Sequence, residues 1–290
     1  MSWQDVFRRD LRSVFRSRMG PAAVLVLLLS TVGVAALVWV TTDPEFPPDT
    51  ENLVVIFGSL LSFVVPLVAL LASYSAVVSE RTTGSVRFLL GLPNSRTDAY
   101  VGKLASRTLV VVAPVVVGVL LAGAITVPLT ESGDFAPFVW LAALSAAYAV
   151  LFVGIGLTAS VVADTDTRAV SLVVAVFAIL RAGWPALQWV GLQGLEEQYP
   201  FPEWYFWIGR LNPINAYVKL TTVISPVENH PLITTPRDTE SVRRFAEELP
   251  RESAAGSVAV SGELAAIVLG VLVVAAPVAG WLYFRQRDVL

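Results

Sequence analysis

A solitary histidine, His230, is the only imidazole this chain offers as a base or a metal ligand, and it stands beside Pro231 in a polar stretch. A serine nucleophile needs a base of that kind within reach, and the G-x-S-x-G elbow of the hydrolases does not occur. The chain has no cysteine and two methionines, so disulfides, thiolate chemistry and a soft-metal pathway lack ligands. Glu196 and Glu197 form a carboxylate pair without the further histidines of a metal or base set, and they read as solvated loop residues. The one Gly-Lys pair, Gly102–Lys103, lacks the upstream glycine of a P-loop and is followed by Leu104, so the chain is not expected to hydrolyse ATP by itself. No catalytic residue and no metal site is predicted.

What remains is polarity inside apolar runs. Arg181 is followed by Trp184, Pro185 and Gln188 in a long apolar stretch. An intramembrane arginine is costly and is a functional hypothesis by default; Arg181 either snorkels or pairs near the outer end of its helix, or lines a pathway. Another apolar run carries Ser59, Ser62, Ser73, Tyr74 and Ser75, with Pro66 loosening the helix between them. These residues face either a neighbouring helix or a cavity. Ser62, Tyr74, Arg181 and Gln188 are the candidate path residues. Gly154 and Gly156 read as close helix packing.

These groups need elements to hold them. The chain has 290 residues, 55% of them hydrophobic and 15% charged, with a mean hydropathy of +0.69. Soluble chains carry about 25% charged residues, and a spanning helix takes roughly 20 apolar ones. The runs predict an all-α membrane protein, one polytopic domain over 1–290, with six spans at roughly 21–41, 53–78, 106–128, 136–162, 168–188 and 263–284. No nucleic-acid partner is predicted.

Orientation follows from lysine and arginine in short loops. Arg8, Arg9, Arg12, Arg16 and Arg18 precede the first span; Arg81, Arg87, Arg96, Lys103 and Arg107 follow the second; Arg168 follows the fourth; Arg285 and Arg287 follow the sixth. The loops at 42–52 and 129–135 carry acidic residues and no lysine or arginine. Both termini are therefore expected in the cytoplasm. Within residues 1–20, Trp3, Phe7, Leu11, Val14 and Phe15 recur at helical spacing with arginines on the other face, which predicts an interfacial helix. A long outer loop, 189–262, separates the fifth and sixth spans. It contains the aromatic, proline-interrupted run Tyr199–Trp207, a short helix over 209–224 at or dipping into the outer interface, and an amphipathic helix over 236–252 that caps the surface.

The segment Glu80–Arg107 is too charged for lipid, yet it carries Val86, Phe88, Leu89, Leu90 and Leu92. Thr82 or Thr83 is placed to cap a short helix over Gly84–Leu90. Gly91 and Pro93 stop that helix, and Asn94 or Ser95 caps the next, which runs from Arg96 through Lys103 into the third span. A short apolar helix that carries Arg87 and turns sharply at both ends suits a protein groove better than a bilayer surface.

With its acidic Glu80, the run Thr83-Gly84-Ser85-Val86-Arg87-Phe88-Leu89-Leu90, then Leu92-Pro93-Asn94-Ser95-Arg96 and Gly102-Lys103, this segment resembles the coupling string of the ABC-2 type permeases, the membrane halves of one large class of ATP-binding cassette transporters. Asn212-Pro213-Ile214-Asn215-Ala216-Tyr217 is similar to that family's Pro-x-x-Ala-Tyr segment, and Phe284-Arg285-Gln286-Arg287-Asp288 to its basic tail. The resemblance implies a prokaryotic plasma-membrane permease subunit, most often an exporter, with no cofactor of its own. ATP and Mg would sit on separate ATPase subunits, which would dock on the coupling segment 80–105 through Glu80, Gly84, Arg87, Phe88, Leu89, Leu90, Pro93 and Arg96. A second permease, identical or different, would complete a path lined by the first, second and fifth helices. Some relatives serve copper-site maturation of nitrous oxide reductase and others export drugs, lipids or polysaccharides; the poor supply of soft ligands argues against direct copper handling. The alternative is a six-helix channel or ion-coupled carrier without an ATPase, although such carriers usually place acidic residues or broken helices at mid-membrane and no mid-span carboxylate occurs here.

Overall fold

The computed structural model describes residues 2–82, 95–193, 203–223 and 258–286. Every strand-free segment expected to cross the bilayer is present as a helix among them, six in all. The first helix, α1 (Trp3–Arg16), is capped by Ser2, whose backbone N–H donates to the Asp5 carboxylate at 2.9 Å in a capping box. The spans follow as α2 (Met19–Thr41), α3 (Thr50–Ser73) continued by the short α4 (Val78–Thr82), α5 (Arg96–Thr126), α6 (Ala136–Val162), α7 (Asp166–Val190) and, after two short helices, α10 (Gly262–Gln286). The short helices are α8 (Glu203–Leu211) and α9 (Pro213–Thr222).

The third span follows the expected course. Its helix begins at Arg96, where the Ser95 hydroxyl accepts from the Asp98 N–H at 3.0 Å, and runs unbroken to Thr126. The polar turns Arg96–Arg107 are thus the base of the span itself. The expected surface helix over 236–252 lies outside the described residues.

Helix α6 sits at the centre, packed on α3, α5 and α10. Gly154 makes the α10 contact possible: a Cβ there would stand 2.7 Å from Pro277 Cγ. Two hydroxyls, one from α5 and one from α6, hold α10 at this level. Tyr100 donates to the Pro277 carbonyl at 2.8 Å, and Thr158 to the Ala276 carbonyl at 3.1 Å. The inner spans α3 and α6 bury 61% of their most apolar window, whereas α7 buries 11%. So α7 leaves most of its apolar surface to lipid or to another protein.

Two π-helical turns interrupt the spans, Leu29–Gly33 in α2 and Ile179–Gly183 in α7. The second has a visible cause. The Asn212 amide donates to the Leu180 carbonyl at 2.8 Å, satisfying a group that the widened turn releases. The same Asn212 caps α9 by accepting from the Ile214 N–H at 2.9 Å, with Pro213 in the first helical position. Helix α9 is buried against α3, α6 and α10, so the segment expected at the outer interface is packed into the bundle. Tyr217 stacks on Tyr148 with centroids 4.1 Å apart, and its hydroxyl meets that of Ser145 at 2.7 Å.

Candidate functional site

Helix α1, the start of α5, the α3–α4 junction and the end of α10 meet at one end of the bundle, here called the basal end. A charged layer is built there out of a broken helix. Helix α3 stops at Ser73, residues 74–77 form turns, and α4 restarts at Val78. In a continuous helix the Ala72 carbonyl would accept from the amide of Ala76, and the Ala76 carbonyl from that of Glu80. Instead the Ala76 N–H donates to Ser73 at 3.1 Å and the Glu80 N–H to Val77 at 3.2 Å. Buried backbone groups left without a partner are costly, and α5 and α6 supply the partners. Arg107 donates to the Ala72 carbonyl at 2.7 Å and Lys103 to the Ala76 carbonyl at 2.6 Å. On the other side of the break, Ser160 Oγ accepts from the N–H groups of Val77 and Val78 at 2.9 and 3.1 Å.

The two cations buried by that arrangement need counter-charges. Asp10 of α1 takes Arg107 as a fork, Nε to Oδ2 at 2.9 Å and Nη2 to Oδ1 at 3.0 Å, and also accepts from the Ser106 hydroxyl. Lys103 Nζ lies 2.6 Å from Glu80 Oε1 and 3.9 Å from Asp10 Oδ1. Two cations therefore meet two carboxylates in one layer. Burial opposes the ionisation of Asp10, but the charges of Arg107 and Lys103 outweigh it, and the carboxyl is held below its ordinary range. Gly102 lets α1 come close enough: a Cβ there would stand 2.7 Å from the Trp3 carbonyl oxygen.

Of the residues expected to couple, Glu80 belongs to this layer, and Arg96 lies at its edge, donating to the Arg285 carbonyl of α10 at 3.2 Å. Gly84, Arg87, Phe88, Leu89, Leu90 and Pro93 lie outside the described residues. The charged layer and the Arg96 contact thus hold the two described ends of the segment that contains them.

The four candidate path residues each have a place among the spans. Ser62 is buried, its hydroxyl donating to the Ser59 carbonyl at 2.7 Å and its carbonyl accepting from Tyr148 at 3.2 Å. Tyr74 is half-buried in the turn after α3, packed beside Val78 and Ala169. Arg181 lies with its guanidinium 5.4 Å from the ring centre of Phe63, linking α7 to α3. Gln188 is buried beside Asn215, whose amide approaches its carbonyl oxygen at 3.4 Å. Among the described residues, Gln188 Nε2 and Asn215 Oδ1 are buried side-chain atoms without a hydrogen-bond partner. Next to them, burial pushes the Arg210 guanidinium down to about 10; its Nε donates to the Ala259 carbonyl at 2.9 Å.

Asp10 escaped the sequence reading, although a signal was present. Val6, Asp10 and Val14 recur every four residues and are the buried positions of α1, whereas Trp3 and Phe15 of the predicted apolar stripe are exposed.

Six apolar helices with a buried, charge-balanced layer at one end make this a multi-pass α-helical membrane protein. The chain belongs to the ABC-2 family of transporter proteins, whose family model matches residues 4–289. Over 136 residues it is 26% identical to a probable ABC transporter permease protein NosY of Stutzerimonas stutzeri, covering 47% of this chain and 49% of that protein. Over 113 residues it is 28% identical to the corresponding NosY protein of Pseudomonas aeruginosa, covering 39% and 41%. The aligned stretch thus spans about half the length of these relatives, or less.

Proposed function

We propose that this chain is the permease subunit of an ABC transporter in a prokaryotic plasma membrane. With a second permease it forms the translocation path, and it is driven by separate ATPase subunits, without catalysis of its own. The observation that carries this reading is the ABC-2 family match across residues 4–289, joined to six spans; the two relatives named as permeases favour the same role. The basic loops and termini put the basal end in the cytoplasm. There the segment 80–105 receives the ATPase, with Arg87 and Phe88 at the contact. The largely unburied α7 supplies surface for the second permease, and Arg181 stands on it as a path residue. Outward transport is proposed on the family resemblance.

The test is co-purification of the tagged chain with a soluble ABC ATPase subunit co-expressed from the same organism, with ATP turnover measured in liposomes. The wild type is expected to retain the ATPase and stimulate its turnover. Phe88→Asp and Arg87→Glu are expected to abolish both while the permease still inserts and elutes as a single species. Variants that bind and stimulate like wild type would refute the coupling assignment.

A further inference from the structure

Helix α1 is wedged against α5 at Gly102 and pinned by Asp10, which sets neighbouring flanks of the two helices side by side. A groove of about 560 Å³ opens there, within the roughly 300–1,000 Å³ of small-molecule sites. Its two walls follow helical spacing. Trp3, Phe7 and Arg8 come from one flank of α1, and Thr108, Leu109 and Val112 from one flank of α5. Val112 is five residues beyond Arg107, so the groove climbs about 7 Å above the charged layer at 1.5 Å per residue. Polarity is sorted along it: the guanidinium is on the interfacial helix and the aliphatic side chains are on the span.

We propose that this groove holds one anionic phospholipid of the basal leaflet. Arg8 takes the phosphate, Trp3 lies at the headgroup level, where amphipathic rings are favoured, and Phe7, Leu109 and Val112 receive the upper part of an acyl chain. The rest of the lipid stays in the bilayer.

Charge complementarity selects an anionic lipid over a neutral one. Arg8, Arg9, Arg12 and Arg16 of α1, with Arg18 just beyond it, are exposed and form no ion pair among the described residues. The acidic residues of α1 offset them only in part: Asp10 is committed to Arg107, and Asp5 is engaged chiefly by the Ser2 backbone, with a lesser attraction to Arg8. A basic interfacial helix draws anionic lipid to its neighbourhood. Here the mounting of α1 on α5 turns that diffuse attraction into a fixed site, because the Gly102 contact and the Asp10–Arg107 fork set the two walls relative to each other. The inference is independent of the ATPase assignment.

The test is native mass spectrometry of the full chain in a neutral detergent, titrated with phosphatidylglycerol or phosphatidylcholine of identical chains. One tightly retained phosphatidylglycerol is expected, bound at least fivefold more tightly than phosphatidylcholine. Arg8→Gln is expected to weaken it roughly fivefold, the effect of one arginine at an anionic surface. Arg16→Gln, on the same helix but outside the groove, is expected to change it less than twofold. Leu109→Trp, which fills the groove, is expected to remove the bound lipid; if that variant does not fold, the Arg8 and Arg16 comparison decides alone. Equal retention of the two lipids, equal losses from Arg8→Gln and Arg16→Gln, or displacement of the lipid by millimolar inorganic phosphate would each overturn the proposal.

Discussion

The Arg107 guanidinium grips both carboxylate oxygens of Asp10, at 2.9 and 3.0 Å, across 97 residues of sequence. This fork joins the amino-terminal helix to the membrane bundle, together with the Ser106 hydroxyl on the same carboxylate. It also spares the break after α3 from becoming a defect, since the same guanidinium serves the Ala72 carbonyl. A cation that satisfies a broken helix needs a carboxylate, and α1 brings one.

Removing that carboxylate leaves Arg107 and Lys103 with Glu80 as their one remaining counter-charge in the layer. Asp10→Ala is expected to destabilise the protein by about 3–5 kcal/mol, the cost of orphaning a buried charge. Asp10→Leu combined with Arg107→Met should recover part of that loss. Thermal unfolding in detergent of Asp10→Leu, Arg107→Met and the double variant measures the coupling; strictly additive losses would show that the fork contributes nothing.

The same pair sets an acid limit. Asp10 has a folded-state pKa below its ordinary value of 3.8, so folding favours its ionised form. The contribution is full above about pH 4 and is lost as pH falls through the lowered folded value. Stability between pH 8 and 5 should therefore be insensitive to this residue, with a decline setting in below pH 4. Asp10→Asn should lack that part of the decline, which unfolding midpoints from pH 7 to 3 would reveal; parallel curves for the two proteins would contradict it.

Much of this architecture is legible in the sequence, for simple reasons. A span announces itself because about 20 apolar residues in a row have few other solutions, and the proline and glycine positions mark the close crossings, as Gly154 against Pro277 shows. What stays hidden is pairing over long separations. Nothing local says that Asp10 will find Arg107, or that Ser160 will receive the amides of Val77 and Val78. The position of α9 was obscured by composition: Asn212, Asn215 and Tyr217 look interfacial, yet each has a partner inside the bundle, at Leu180, Gly209 and Ser145. Ser62 and Gln188, singled out for polarity alone, are buried among neighbouring helices.

The α6–α10 crossing has no room to spare. A side chain at Gly154 would strike the Pro277 ring, so Gly154→Leu is expected to cost about 1–3 kcal/mol through overpacking. Gly154→Leu with Pro277→Ala should be milder than Gly154→Leu alone. Detergent unfolding of the pair of variants reads the difference, and equal losses would move the strain elsewhere.

The Ser145–Tyr217 hydrogen bond ties α9 to α6 inside the apolar bundle. Tyr217→Phe keeps the stacking on Tyr148 and deletes only that bond, so the expected loss is about 0.6 kcal/mol, the usual size for a polar contact between membrane helices. Tyr217→Ala also removes the 4.1 Å stack and should cost several times more, about 3 kcal/mol or above. If the two variants unfold alike, the hydroxyl and not the ring holds α9 in place.

The segment between Glu80 and Arg96 is anchored differently at its two ends. At Glu80 the carboxylate is pulled inward onto Lys103 at 2.6 Å, behind the break in α3. At Arg96 the guanidinium donates to the Arg285 backbone carbonyl on α10 at 3.2 Å, in an exposed position. A force applied to the segment would therefore reach α3 and α1 through charged groups held in the bundle, and α10 through exposed contacts at the start of α5, Arg96 on the Arg285 carbonyl and Trp281 on Thr97. Glu80→Ala is expected to leave ATPase binding within about twofold of wild type while stimulated ATP turnover falls about tenfold, roughly 1.4 kcal/mol of lost coupling. Arg96→Ala should alter turnover less than threefold. Glu80→Gln, which keeps an acceptor for the Lys103 ammonium but not the charge, should fall between them. Binding affinities and turnover measured on the same reconstituted complexes separate the two effects. A Glu80→Ala complex that turns over ATP normally would mean that the charged layer stabilises the bundle without transmitting motion.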